Sequence, residues 1–118
     1  MAERALEAAC GRGVAYADVR VVERRERHVS TKNGRVGQLA QAESLGAGIR
    51  VLLYGCWGFA ATDDLSRAGL ERAAALAVEI ARASALAKKR DVVLAPEETY
   101  HAVWESPCRI DPFSVAVE

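Results

Sequence analysis

Between Leu65 and Ala87, small apolar residues return at helical spacing: Leu70, Ala73, Ala74, Ala77, Ile80, Ala81 and Ser84. Such a stripe predicts a helix whose alanine-rich face lets its axis lie close on a flat partner, and the flat partner available is a sheet. The start of this helix is written locally. In Thr62-Asp-Asp-Leu-Ser66 the Ser66 hydroxyl is placed to accept one of the orphan backbone N–H groups of the first turn. Leu65 before it and Leu70 after it have the spacing of a hydrophobic staple. Lys88-Lys-Arg90 sets cations where the helix dipole favours them and closes the element.

The sheet is legible upstream. From Tyr16, Ala17, Val19 and Val21 alternate with Asp18, Arg20 and Val22, the period of a half-buried strand. The pattern dissolves into Glu23-Arg24-Arg25-Glu26-Arg27-His28, a charged strand-to-strand connection, and resumes weakly through Val29 and Thr31. Asn33-Gly34 is the strongest hairpin signal, because both residues tolerate the positive φ of a type I′ turn. A further strand runs from Arg35 to about Ala42. Gly46-Ala-Gly48 then introduces the most apolar one, Ile49-Arg-Val-Leu-Leu53. A tight turn at Tyr54-Gly55 leads into Trp57-Gly-Phe-Ala-Ala61. At the N-terminus, residues 2–10 are strong helix formers with Leu6, Ala9 and Cys10 on one face, and Gly11 and Gly13 stop them. The expected fold is α+β: an antiparallel sheet of about five strands with the two helices packed on one face.

A chain of 118 residues suits one domain with a real core. Residues 1–90 read as that domain. Residues 91–118 read as a linker toward a following domain, because Pro107 and Pro112 break the pattern and Ser114-Val-Ala-Val-Glu118 opens a helix with no room to finish. Lys+Arg and Asp+Glu are equal at 16 each, so no excess cationic charge is available to neutralise phosphates. Nucleic-acid binding is disfavoured for the domain as a whole. Cys10, Cys56 and Cys108 are odd in number and far apart, which indicates free thiols in a reducing compartment. There is no signal-peptide pattern and no apolar run of the roughly 20 residues a membrane span needs, so the expected location is the cytoplasm.

The chemistry-bearing residues are few. His28 and His101 have no second ligand at metal-binding spacing and read as surface histidines. Cys56, between Gly55 and Trp57, is a candidate nucleophile by setting, yet it lacks a base and fits better as a small residue filling a hairpin. Gly11-x-Gly13 follows a helix instead of opening one, and Gly46-Ala-Gly48 leads into a strand, so neither cradles phosphate. Arg24, Arg25 and Arg27 interleave with Glu23 and Glu26 as a solvated edge. Tyr54, Trp57 and Phe59 gather in one hairpin. Core packing is the ordinary role for such a group, and a surface against another domain or subunit is the functional one. These three are the candidate interface. The residues supply no catalytic, cofactor-binding or metal site.

Taken in order, Tyr16-Ala-Asp-Val-Arg20, Lys32-Asn-Gly-Arg35, Gly46-Ala-Gly-Ile-Arg-Val51 and Trp57-Gly-Phe-Ala-Ala-Thr-Asp-Asp-Leu65, followed by the alanine-rich helix, resemble the N-terminal domain of the TldD/PmbA family. Asp111-Pro-Phe113 is similar to the segment leading out of that domain, and the Trp-Gly-Phe-Ala-Ala-Thr hairpin leans toward the TldD branch. Members also carry the label modulator of DNA gyrase. The resemblance implies a parent that is a zinc metallopeptidase, degrading or maturing peptides in a homo- or hetero-oligomeric assembly with a TldD/PmbA-type subunit. The family's His-Glu-x-x-x-His helix lies later in the chain, and no position here matches it. The role implied for this chain is that of a non-catalytic domain that packs on the remaining domains or a partner subunit and walls the substrate chamber. The other reading is a free-standing module that binds a protein or peptide through a sheet edge or the Trp57 hairpin.

Overall fold

Two two-residue turns organise the sheet. In the computed structural model, which describes residues 2–10 and 13–116, strand β1 (Tyr16–Lys32) and strand β2 (Arg35–Leu53) meet at Asn33-Gly34, with φ of 52° and 72°. Strand β2 and strand β3 (Cys56–Thr62) meet at Tyr54-Gly55, with φ of 52° and 69°. Two successive positive φ values match the right-handed twist of the flanking strands, so both connections are tight hairpins. The sheet is a three-stranded antiparallel meander in the order β1-β2-β3, and β2 pairs with β3 from Leu53↔Cys56 out to Ala47↔Thr62. Helix α1 (Ala2–Cys10) precedes the sheet and helix α2 (Arg67–Ala85) follows it.

The α+β class holds, and the expectation of about five strands is corrected to three. Glu23–His28 is not a connection, and His28 stands on β1 itself, which runs unbroken to Lys32. The segments read as separate strands at Arg35–Ala42 and Ile49–Leu53 are one strand, and Gly46 and Gly48 lie inside it. Apolar alternation reports burial of one face. It fades wherever both faces of a hairpin are wet, while the backbone ladder continues with no proline to interrupt it. The expectation of two helices on one face is corrected too: α2 is the helix packed on the sheet, against β3, and α1 lies against α2.

The chain forms two compact units, Met1–Glu26 with Ala42–Val93, and Arg27–Gln41 with Leu94–Glu118. In the first, the core joins Ile49, Val51 and Leu53 of β2 and Ala60 of β3 to Leu70, Ala73, Ala74, Ala77, Val78 and Ala81 of α2, with Ala9 of α1. Val14, Ala17, Val19 and Leu65 pack on this cluster. Ile49, Val51 and Val78 are the largest fully buried side chains, each worth roughly 1.5–3 kcal/mol of transfer free energy. The rest of the interface is alanine, which sets a short distance between helix and sheet. At Gly58 the backbone of α2 lies directly above β3: a Cβ there would overlap the Ala77 carbonyl oxygen and come within 2.7 Å of the Ala81 nitrogen.

Helix α2 starts as expected. Ser66 is extended, at φ −61° and ψ 159°, and its Oγ accepts from the Gly69 N–H at 3.1 Å. Asp64 accepts from the Ser66 N–H at 3.0 Å and from Arg72 Nη2 at 2.7 Å. The bonds from Ser66, then the Arg72 charge, hold the Asp64 carboxyl below its usual value. The buried stripe differs from the expected one at its far end: Val78 is buried, while Ile80 and Ser84 face solvent. Beyond Ala85 the cations serve the hairpin turn. Lys88 Nζ donates to the Tyr54 carbonyl at 2.6 Å and pairs with Asp91 at 2.7 Å, and the Val92 N–H donates to the Gly55 carbonyl at 2.9 Å. On α1, Leu6 is half-buried, Ala9 buried and Cys10 exposed, so the expected face is narrower by Cys10. Gly13 has φ 77°; Gly11 lies outside the described residues.

In the second unit, β1 and β2 contribute the far part of their hairpin, and residues 94–116 follow without a helix or strand. The helix expected to open at Ser114 is absent through Ala116, and its last two positions lie outside the described residues. A turn stands there instead. Asp111 Oδ1 accepts from the Phe113 N–H at 2.9 Å, and the Asp111 carbonyl accepts from the Ser114 N–H at 3.1 Å and Oγ at 2.7 Å.

Candidate interaction face

The two faces of the first unit's sheet are built from different residues. Along β3, Cys56, Gly58 and Ala60 are buried toward α2, while Trp57, Phe59 and Ala61 stand on the opposite side. The register carries this onto β2, where Val51 and Ile49 lie beside Gly58 and Ala60, and Arg50 and Gly48 beside Phe59 and Ala61. On β1, Ala17 and Val19 pack on the core, which turns Tyr16, Asp18 and Arg20 the other way. The inner face is small and apolar. The outer face is aromatic and charged.

An ordered row crosses all three strands on the outer face. Arg50 of β2 donates from Nε and Nη2 to one carboxylate oxygen of Asp18 on β1, at 2.8 and 2.6 Å. Its guanidinium carbon lies 4.6 Å from the centroid of the Trp57 ring on β3. Tyr16 meets the same indole edge-to-face, at 5.9 Å and 87°. Arginine suits this position because its planar head can stack and donate at once. The bond to Asp18 pushes the Arg50 guanidinium further up, and burial followed by the Asp18 charge pushes the Tyr16 hydroxyl above its ordinary value. The side chains of Asp18 and Arg50 are 23% and 40% exposed, so water screens the pair in part.

Beside this row lies an open groove of about 870 Å³, lined by Arg20, Val22 and Arg24 from β1, Ser44 to Gly48 and Arg50 from β2, and Phe59 and Ala61 from β3. Phe59 is 57% exposed, and its ring rests over Gly48, where an added Cβ would come within 3.0 Å of Cε2. A glycine under an aromatic ring is a packing arrangement seen where strands leave a gap on one face. Tyr54 stands apart from the row, at the turn, 63% exposed, where Lys88 takes its carbonyl.

Of the expected interface residues, the structure sets Trp57 and Phe59 on one face and leaves Tyr54 at the hairpin tip; none belongs to the buried core. The partners of Trp57 are Tyr16 and Arg50, which sequence reasoning did not select. The signal for Arg50 was available, a charge between Ile49 and Val51 in the most apolar strand. Cys56 is buried at the start of β3, opposite Leu53, as a small residue filling the hairpin. His28 and His101 are both exposed.

Residues 17–81, more than half of the chain, match the family described as PmbA/TldA metallopeptidase domain 1, and the chain belongs to that family. The match spans all three strands from Ala17 onward and most of α2. Among curated proteins, the chain is similar to a protein named "Metalloprotease" from Methanothermobacter thermautotrophicus, at 41% identity over 56 residues. That stretch is 48% of this chain and 12% of the relative, so the chain spans only a small part of the length of the curated protein it matches. For the zinc that a metallopeptidase family implies, the described residues offer no fitting ligand set. Among the described residues, no group of three or more His, Cys, Asp or Glu side chains is placed to hold a metal ion. Nor is any helix among them long and apolar enough to cross a membrane.

Proposed function

We propose that this chain is the non-catalytic N-terminal domain of a TldD-like zinc metallopeptidase that degrades or matures peptides. The observation that carries this reading is the family match over residues 17–81, on a domain whose described side chains do not assemble a metal site. In this reading residues 1–90 are the domain and residues 91–118 lead toward the next one. Zinc and its ligands belong to another part of the parent, and the assembly works in the cytoplasm with a TldD/PmbA-type partner subunit. The outer sheet face, with Trp57 held by Arg50 and Tyr16 and with Phe59 beside it, is the surface that meets the catalytic region or that partner. Aromatic residues and arginine are enriched where such surfaces are buried.

Two measurements test this. Reading the gene beyond codon 118 should show a His-Glu-x-x-x-His segment, and the 118-residue chain should not hydrolyse peptides when zinc is added. Zinc-dependent hydrolysis by this chain alone would refute the non-catalytic assignment. A free-standing interaction module is the second reading, favoured by the same exposed Phe59 and the groove beside it. A stop codon directly after Glu118 would select it.

A further inference from the structure

We infer that Arg27 is a latch that holds the Asp111–Val115 turn on the β1–β2 hairpin and thereby keeps the irregular segment 94–116 in place. Arg27 Nη1 donates to the carbonyls of Val115 and Pro112, at 3.1 and 3.3 Å, and Nη2 donates to that of Phe113 at 3.4 Å. The same guanidinium lies 5.3 Å from the centroid of the Phe113 ring. One side chain thus binds three backbone acceptors and covers an aromatic face. Within the charged run on β1 it is also distinct, being half-buried where Arg24, Arg25, Glu26 and His28 are exposed.

The turn is shaped to receive it. Asp111 fixes Phe113 and Ser114 through its carboxylate and its carbonyl, and the carbonyls of Pro112, Phe113 and Val115 lie within reach of the one guanidinium. A hollow of about 340 Å³ lies beside the contact, lined by Arg27, Leu39 and Gln41 with Phe113 to Ala116. The segment before the turn is not secured by burial: Tyr100, Val103, Trp104 and Ile110 are 72–84% exposed. A strap without regular structure and without buried anchors depends on its few specific contacts, and the Arg27 cluster is the densest of them. Lysine would replace it only in part, since its single ammonium lacks the planar fork that reaches three carbonyls from two nitrogens while lying over a ring.

The test is amide hydrogen exchange on the 118-residue chain, following Phe113 and Ser114, with limited proteolysis of residues 94–116 alongside. Losing charge-assisted bonds of this kind should speed both amides by about tenfold or more in Arg27→Ala. Arg27→Lys should recover only part of the protection, and the α2 amides of Leu70 and Val78 should not change. Exchange within twofold of the parent in Arg27→Ala overturns the latch. Should Arg27→Ala also loosen α2, Phe113→Ala decides instead: about threefold faster exchange at Ser114 supports the latch, and an unchanged rate overturns it.

Discussion

Placing an alanine at position 58 tests whether the short helix-to-sheet distance is what the first unit is built around. The added Cβ would overlap the Ala77 carbonyl oxygen and stand 2.7 Å from the Ala81 nitrogen and 2.9 Å from the Ala81 Cβ. Ordinary contacts between such atoms need about 3.5–4.0 Å. The obstacles are helix backbone and a methyl group, neither of which has a rotamer to change, so α2 must lift by more than about 1 Å. Lifting it loosens the contacts of Ala73, Ala74, Ala77 and Ala81 together, and a gap of about 0.5–1 Å already forfeits a quarter to a half of each contact's attraction. Overpacking of a core costs about 1–3 kcal/mol. With backbone as the obstacle, Gly58→Ala should reach the top of that range, about 3 kcal/mol, and lower the melting temperature by about 12 °C or more. Gly48→Ala is the control on the opposite face. Its Cβ would meet only the Phe59 ring, at 3.0 and 3.2 Å, and that ring is exposed and free to swing. It should cost under about 1 kcal/mol. Urea denaturation followed by far-ultraviolet circular dichroism measures both. Equal effects, or a Gly58→Ala cost below about 1 kcal/mol, would refute the close-packing argument.

Ser66→Ala should remove about 1 kcal/mol of stability through the lost bond to the Gly69 N–H, and Ser66→Asp should retain most of it; denaturant midpoints decide. A double-mutant cycle on Asp18→Ala and Arg50→Ala should give a coupling of at most about 1 kcal/mol, discounted for partial exposure and weaker in high salt. The same cycle should leave α2 amide protection unaltered, because the pair lies on the face away from the helix. Asp64 contributes to the acid limb of stability. Its carboxyl is held low in the folded state, so its contribution is complete above the ordinary carboxylate range and fades as pH falls through the lowered folded value. Asp64→Asn should therefore flatten the stability profile at acid pH, measured by thermal unfolding across a pH series.

The parts of the fold that could be read from sequence are those fixed by neighbours a few residues apart. Ser66 and Gly69 lie within one helical turn, so the start of α2 was visible in five residues. Asn33, Gly34 and Gly55 accept their positive φ readily, while Tyr54, at φ 52°, is held there by the two-residue turn. The buried stripe of α2 was right at Leu70, Ala73, Ala74, Ala77 and Ala81, and missed where the reading left the period: Val78, at i+8 from Leu70, is buried but was passed over, and Ile80, at i+10, has turned away. Strand number failed for the opposite reason. Apolar alternation marks where a strand meets a core, and much of β1 and β2 meets none, so their wet stretches read as loops. Gly46 and Gly48 looked like a turn because glycine is the usual turn residue. Inside β2 they serve close approach instead, Gly48 to the Phe59 ring and Gly46 to the Thr62 carbonyl.

The outer face was only half legible, because its order comes from residues far apart in the chain. Asp18 and Arg50 are joined by register, and nothing near either one announces the other. Their arrangement bears on the functional reading in a specific way. A sheet face that only borders water needs alternating polar residues and no more, and most surface ion pairs add little to stability. Here one arginine is shared between a carboxylate and an indole, and a second aromatic closes on the same ring, so Trp57 is held rigidly while Phe59, two residues along, is left open. Rigid aromatics beside an exposed one reduce the ordering cost of forming an interface. In the proposed reading, Phe59 is the side chain on which that interface would close.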